Sequence, residues 1–216
     1  VYATVAELLR AYPSCRQILI DIPIGLLEQG AEGRRCDKEV RRLLGRPRAS
    51  SVFPPPLRPA LQCRTRAEAS AVNYARSGKG IGAQTWNICN KIREVDEHLR
   101  GVPSATERVR EAHPELLFWA LNNREPMRHP KSTAAGMDER LAVLSRFLSS
   151  AEEAVKHAAA AFPRSAVKPD DLVDALALAL AASAGEKALS SVPTQAQRDA
   201  YGLPMEIVYW EPSCVQ

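Results

Sequence analysis

Ile18-Leu19-Ile20-Asp21-Ile22-Pro23-Ile24-Gly25 decides the fold class of this chain. Residues 17–22 form an aliphatic run broken by one acid, the pattern of a β-strand covered on both faces. Pro23 and Gly25 end it. Asp21 sits at the carboxyl end of the strand, where open α/β sheets place their ligand sites. An ionised carboxylate in apolar surroundings is costly unless a cation or strong hydrogen bonds compensate it. The structural alternative is an aspartate that caps the backbone of the following loop.

A second acidic site opens the run Asp171-Leu172-Val173-Asp174-Ala175-Leu176-Ala177. The i, i+3 spacing puts Asp171 and Asp174 on one helix face. Pro169 suits the first helical position, and Asp170 and Asp171 complement the helix dipole. Asp174 lies a turn deeper, where the dipole explains it less well. The helix beyond is apolar almost all round and is expected to be packed on several sides. Acids gathered from a strand and a distant helix point to a hard divalent cation, Mg²⁺ or Mn²⁺, held by oxygen ligands.

Outward from these two stretches, helices are predicted over residues 5–11, 33–44, 60–77, 83–100, 113–122, 133–147, 151–160 and 169–184. A Pro-rich connector covers 45–59, and strands are predicted at 108–112 and 206–210. The pattern is mixed α/β and helix-rich, with few strands. The length of 216 residues suits one domain, 1–216, with a helical insertion at about 58–100. The net charge of +4 is compatible with nucleic acid without demanding it.

The cysteines, Cys15, Cys36, Cys63, Cys89 and Cys214, are scattered and form no C-x-x-C. That argues against a disulfide framework or a zinc ribbon and for free thiols in a reducing cytoplasm. The longest apolar run, 172–184, contains Asp174 and is too short and polar to span a bilayer. No signal-peptide pattern opens the chain. A cytoplasmic protein without a membrane partner is expected.

Further candidates carry weaker signals. Glu111 shares a strand face with Val109 and could reach the Asp21 site. His113 could act as a base or substrate contact, although a lone histidine is more often structural. The basic stretch Arg34, Arg35, Lys38, Arg41, Arg42, Arg46 and Arg48 could hold phosphates or be a solvated helix face. Lys91, Glu94 and His98 share a face that ordinary surface ion pairing explains. Lys131 and Arg140 are candidates for a phosphate contact or a partner of the carboxylates. Gly78-Lys79-Gly80-Ile81-Gly82 lacks Walker spacing. Trp86, Trp119 and Trp210 read as core.

Taken in order, several motifs resemble one family, domain of unknown function 429. They are Ile20-Asp21-Ile22-Pro23-Ile24-Gly25-Leu26, Arg35-Cys36-Asp37, Ser51-Val52-Phe53-Pro54, Lys91-Ile92-Arg93-Glu94-Val95-Asp96 and Glu111-Ala112-His113-Pro114-Glu115. Pro130-Lys131 with Gly136 and Arg140, then Asp171-Leu172-Val173-Asp174-Ala175-Leu176-Ala177, complete the series. That family is regarded as predicted nucleases of RNase H-like fold, related to Holliday-junction resolvases. The resemblance implies a mixed sheet flanked by helices, with acids binding Mg²⁺ or Mn²⁺. In such enzymes two metal ions activate water and stabilise the leaving oxygen of a phosphodiester. Asp21 matches the acid of the fold's fourth strand. Asp171 and Asp174 match the acidic pair of the last catalytic helix, and Glu111 is a further candidate. The fold normally opens with a hairpin carrying an aspartate in a Val-Asp-Gly-like context. No such motif precedes Glu7, so the resemblance implies that the first catalytic aspartate and about three strands are absent from these residues, either because the sequence is a truncated version or because the protein is an incomplete member. Asp21 would then lie on a sheet edge that favours aggregation or pairing with another chain, a homodimer among the outcomes.

The expected function is therefore metal-dependent hydrolysis of phosphodiester bonds in DNA or RNA. Asp21, Asp171, Asp174 and Glu111 would be catalytic, the first three of them as metal ligands. Arg35, Lys91, His113, Lys131 and Arg140 would contact substrate. The alternative is a non-catalytic interaction protein of the same fold. A third option is a metal-dependent enzyme acting on a small phosphorylated substrate.

Overall fold

A computed structural model describes residues 1–212; Cys214 lies outside the described residues. Eight α-helices and four β-strands are formed among the described residues, a helix-rich mixed α/β architecture with small sheets. β1 (Ile18–Ile20) pairs in parallel with β2 (Val109–Glu111), Leu19 standing opposite Arg110. β3 (Leu189–Arg198) and β4 (Pro204–Trp210) form an antiparallel hairpin. A single parallel bridge from Ala112 to Val208 joins the two ladders. The spatial order is thus β1-β2-β4-β3.

β1 is half-buried along its length rather than covered on both faces. Its second edge has no strand partner among the described residues, and Gln17 to Asp21 line a large cavity there. Ile18 N–H donates to Arg108 O at 2.7 Å and Ile20 O accepts from Ala112 at 2.9 Å. Because peptide groups alternate along a strand, those of Leu19 turn toward the cavity.

The helices are α1 (Val5–Ala11), α2 (Arg35–Arg48), α3 (Arg66–Ser77), α4 (Ala83–Gly101), α5 (Pro114–Leu121), α6 (Ala134–Ser145), α7 (Ala151–Ala161) and α8 (Pro169–Ser183). α2 reaches further than expected, through a non-helical kink at Gly45 with φ of 50°. It buries Cys36, Val40 and Leu44, spaced one helical turn apart, against the β3-β4 hairpin and α5. The helix expected over 60–77 is divided. A 3-10 turn occupies Arg58–Gln62, and α3 starts afresh at the capping residue Thr65. Thr65 Oγ1 accepts from Glu68 N–H at 3.2 Å while the Glu68 carboxylate accepts from Thr65 N–H at 3.3 Å.

α5 is the hub, with all eight residues buried. Leu117, Phe118 and Leu121 enter the core formed with α6, α7 and α8. Leu116, Trp119 and Ala120 enter the core formed with α2 and the hairpin. α8 is not wrapped on all sides. Val173, Ala177 and Ala181 face the core, while the stripe Asp171, Ala175 and Ala179 is exposed and lines the cavity.

β3 is an element the sequence reading did not predict. Pro193 interrupts it, and the register shifts between Val192 and Gln197, the device by which a sheet accommodates a proline. Arg58 is buried among Glu28, Asp96 and Asp199. The Tyr201 ring lies 4.6 Å from both the Arg58 and Arg100 guanidinium carbons. Among the described residues, no helix is long and apolar enough to cross a membrane. Cys15, Cys36, Cys63 and Cys89 are free.

Candidate functional site

β1 packs against α8, and both elements line a cavity of about 1180 Å³. Asp21 lies at the carboxyl end of β1, and Asp171 and Asp174 in the first turns of α8; all three line this cavity, with Lys131 beside them. Three of the acids singled out from the sequence are therefore brought together, along with one of the bases.

Asp174 is buried, at 8 % exposure. Lys131 Nζ donates to its Oδ2 at 2.6 Å and stands 3.7 Å from Asp170. Burial pushes the Asp174 carboxyl up to about 6, Lys131 pulls it down, and Asp21 and Glu115 push it up again. Asp21 is reached by water, yet protein surrounds it closely enough that burial raises its pKa first. His113 and Lys131 oppose that shift, and Asp171 and Glu115 add to it. Burial works against the Lys131 ammonium, but Asp174, Asp170 and Asp21 together raise its pKa. These couplings run among the same few groups, so Asp21, Asp171, Asp174, Glu115, His113 and Lys131 form one electrostatic cluster.

Glu115 is the member the sequence reading left out of the site. It is an acid in the opening turn of a helix whose remaining residues are all apolar and all buried, and that contrast was visible in the sequence. One of its oxygens accepts from Arg140, a residue 1 % exposed. Arg140 also donates to Gly136 O at 2.8 Å and His129 O at 3.2 Å. Arg140 therefore acts beneath the site, tying Glu115 to the segment that carries Lys131.

That segment is held by its backbone. Glu139 accepts from the N–H groups of Arg128 and His129 at 2.8 and 2.9 Å. Arg48 donates to Met127 O and Arg128 O at 2.7 and 2.9 Å. Gly136 packs so closely that an added Cβ would fall 2.0 Å from Pro130 O.

Glu111 does not join the cluster. Its two oxygens accept from the Arg34 guanidinium at 2.7 and 2.8 Å, and Oε2 also accepts from Ile24 N–H at 2.7 Å. Arg34 donates in turn to Ile24 O at 2.9 Å and pairs with Asp37. Glu111 and Arg34 thus grip both peptide groups of Ile24 and fix the turn that follows Asp21. Loop capping, the structural role open to Asp21, falls to Glu111. The turn needs Gly25, whose φ is +74° and where an added Cβ would lie 2.8 Å from Pro204 O.

The remaining substrate candidates are dispersed. Arg35 is exposed and bonds Glu39 at 2.6 Å; Lys91 pairs with Glu94 at 3.2 Å on α4. Neither lines the cavity. His113 occupies the N-cap position of α5 without a side-chain capping bond, with Nε2 3.4 Å from Ser51 O and a buried, unpartnered Nδ1.

Two observations bear on a metal. Asp174 Oδ1 and Glu115 Oε2 are buried without a hydrogen-bond partner, and a buried carboxylate oxygen left so is costly unless a cation or donor reaches it. Hard oxygen donors in that state fit Mg²⁺ or Mn²⁺. Among the described residues, however, no three ligand side chains already stand in the arrangement of a metal shell. The donor chemistry fits; the shell is not preassembled, and Lys131 balances the charge of Asp174.

Residues 1–198 match the model of a family described as protein of unknown function (DUF429). The chain belongs to the DUF429 family. The match runs from α1 to the last residue of β3 and contains every acid and base of the cluster. No curated protein and no solved structure matches this DUF429 chain.

Proposed function

We propose that the cavity lined by β1 and α8 is the active site of a metal-dependent nuclease of RNase H-like type. One observation carries the reading: acids from a strand end and a helix start share a cavity, with two buried carboxylate oxygens left unsatisfied. Asp21 and Asp174 would hold the cation, with Asp171 at the rim and Glu115 beneath. When bound, Mg²⁺ or Mn²⁺ supplies Lewis-acid polarisation of a phosphoryl oxygen and lowers the pKa of water. Lys131 is placed to meet a substrate phosphate. Arg48 brings the end of the basic helix α2 against the loop that carries Lys131. Exposed Arg128 and His129 extend the positive charge along that loop. Such a border holds a phosphate backbone without reading sequence.

The test is cleavage of labelled DNA and RNA by the wild type, Asp21→Asn and Asp174→Asn, with Mg²⁺ or Mn²⁺ and with chelator. Loss of cleavage in both variants, at unchanged or higher melting temperature, supports the reading. Equal cleavage by all three proteins places the site elsewhere.

A second reading is favoured by the Lys131–Asp174 ion pair, which already neutralises a buried acid of the cluster. On that reading the cluster is structural and the protein binds a partner without catalysis. It requires that Mn²⁺ does not bind.

A further inference from the structure

We infer that the Lys131 ammonium is the resident counter-cation of this carboxylate cluster and must leave when a divalent cation enters, so that Lys131 sets the metal affinity. The inference rests on the reading of the cavity as a metal site and says how that site is controlled.

Lys131 bonds one oxygen of Asp174, Oδ2, and leaves the buried Oδ1 without a partner. Glu115 repeats the pattern: Arg140 takes Oε1 and Oε2 stays unsatisfied. Each of the two buried acids therefore has one oxygen held by a base and one without a partner; of the two, Asp174 lines the cavity.

The two bases differ in whether they can leave. Arg140 is 1 % exposed and is bonded on several sides, so it stays with Glu115. The Lys131 side chain is 41 % exposed, and among the described residues its ion-pair partners are Asp174 and Asp170. Its backbone segment is pinned by Arg48, Glu139 and Gly136. Motion is thus confined to a flexible four-carbon stem that ends at the cavity.

A divalent ion entering at Asp174 Oδ1 would share a carboxylate with the ammonium, and the two cations repel at that range. The ammonium is the weaker and the more mobile, so it swings away and leaves Oδ2 to the metal. It is then an unpaired base within the cavity, free for a phosphate of the substrate. Metal loading and anion binding become linked equilibria, each favouring the other.

The experiment is a calorimetric titration of Mn²⁺ into the wild type and Lys131→Met, with amine-reactive labelling of Lys131 in the wild type, with and without Mn²⁺. Lys131→Met should bind Mn²⁺ at least ~10-fold more tightly, because no resident cation has to be expelled. Labelling of Lys131 should rise several-fold on Mn²⁺ addition. Equal or weaker Mn²⁺ binding by Lys131→Met overturns the inference while leaving the metal site standing. So does a labelling rate that Mn²⁺ does not change although Mn²⁺ binds. Absence of Mn²⁺ binding in both proteins overturns the metal reading itself and the inference with it.

Discussion

Asp174→Asn should stabilise this protein at neutral pH in the absence of metal. The folded protein holds the Asp174 carboxyl at about 6, against an ordinary value of 3.8. Between those two pH values the folded state keeps a proton that the unfolded chain has released, so stability falls as pH rises. The contribution is fully present below the unfolded pKa and is lost once pH passes about 6. The gap between 3.8 and about 6 corresponds to about 3 kcal/mol. Asparagine keeps the shape of the protonated acid and removes the charge. The loss of the Lys131 ion pair is already contained in that gap, because Lys131 lowers the folded value that defines it. The expectation is a variant more stable than the wild type by about 3 kcal/mol at pH 8 and nearly equal to it at pH 4. Urea unfolding of both proteins in chelator across that range gives the difference directly. A difference that stays flat from pH 4 to pH 8, or a less stable variant at pH 8, would refute the assignment of Asp174 as a strained buried acid.

Other substitutions separate the site from its support. Arg34→Met should lower stability by about 3–5 kcal/mol, because it leaves Glu111 and Asp37 as buried charges without their common partner; a urea midpoint close to the wild type would argue against that network. Glu115→Gln should weaken Mn²⁺ binding in a calorimetric titration while far-ultraviolet circular dichroism stays unchanged; full affinity would remove Glu115 from the site. Gly136→Ala should cost about 1–3 kcal/mol through the clash with Pro130, visible as a drop in melting temperature. Thr65→Ala should cost about 1 kcal/mol through loss of the α3 cap, and this variant should leave Mn²⁺ affinity untouched.

Much of this was legible in the sequence, and the reasons are local. α1, α4, α7 and α8 follow from apolar periodicity and from punctuation such as Pro169, so their bounds fall within a residue or two of expectation. The two acidic stretches that meet in the cavity were visible because each breaks an apolar run. β3 was hidden because Pro193, its bulge and an exposed polar half erase the alternation that marks a strand. The start of α3 was missed although Thr65 and Glu68 spell out a capping box. Glu111 was placed on the strand face of Val109 and expected to reach Asp21, but its partner Arg34 lies far away in sequence, and no local pattern announces a bidentate pair. Glu115 was passed over because α5 looks like plain core; an acid in a helix with no solvent face is the signal that would have found it.

The three buried arginines have a consequence for how the chain is closed. Arg34 reaches Glu111 across 77 positions, Arg58 reaches Asp199 across 141, and Arg140 reaches Glu115 across 25. Each link joins distant segments as a disulfide would, while the described cysteines stay free. A guanidinium keeps its charge at any pH that a protein survives, and burial shields it from dissolved salt. Thiol reductants and oxidants have no purchase on such a fastening. Its weak point is geometric: planar forks tolerate no lysine in their place, so these three positions should resist exchange of one base for another more stubbornly than the exposed bases of α2.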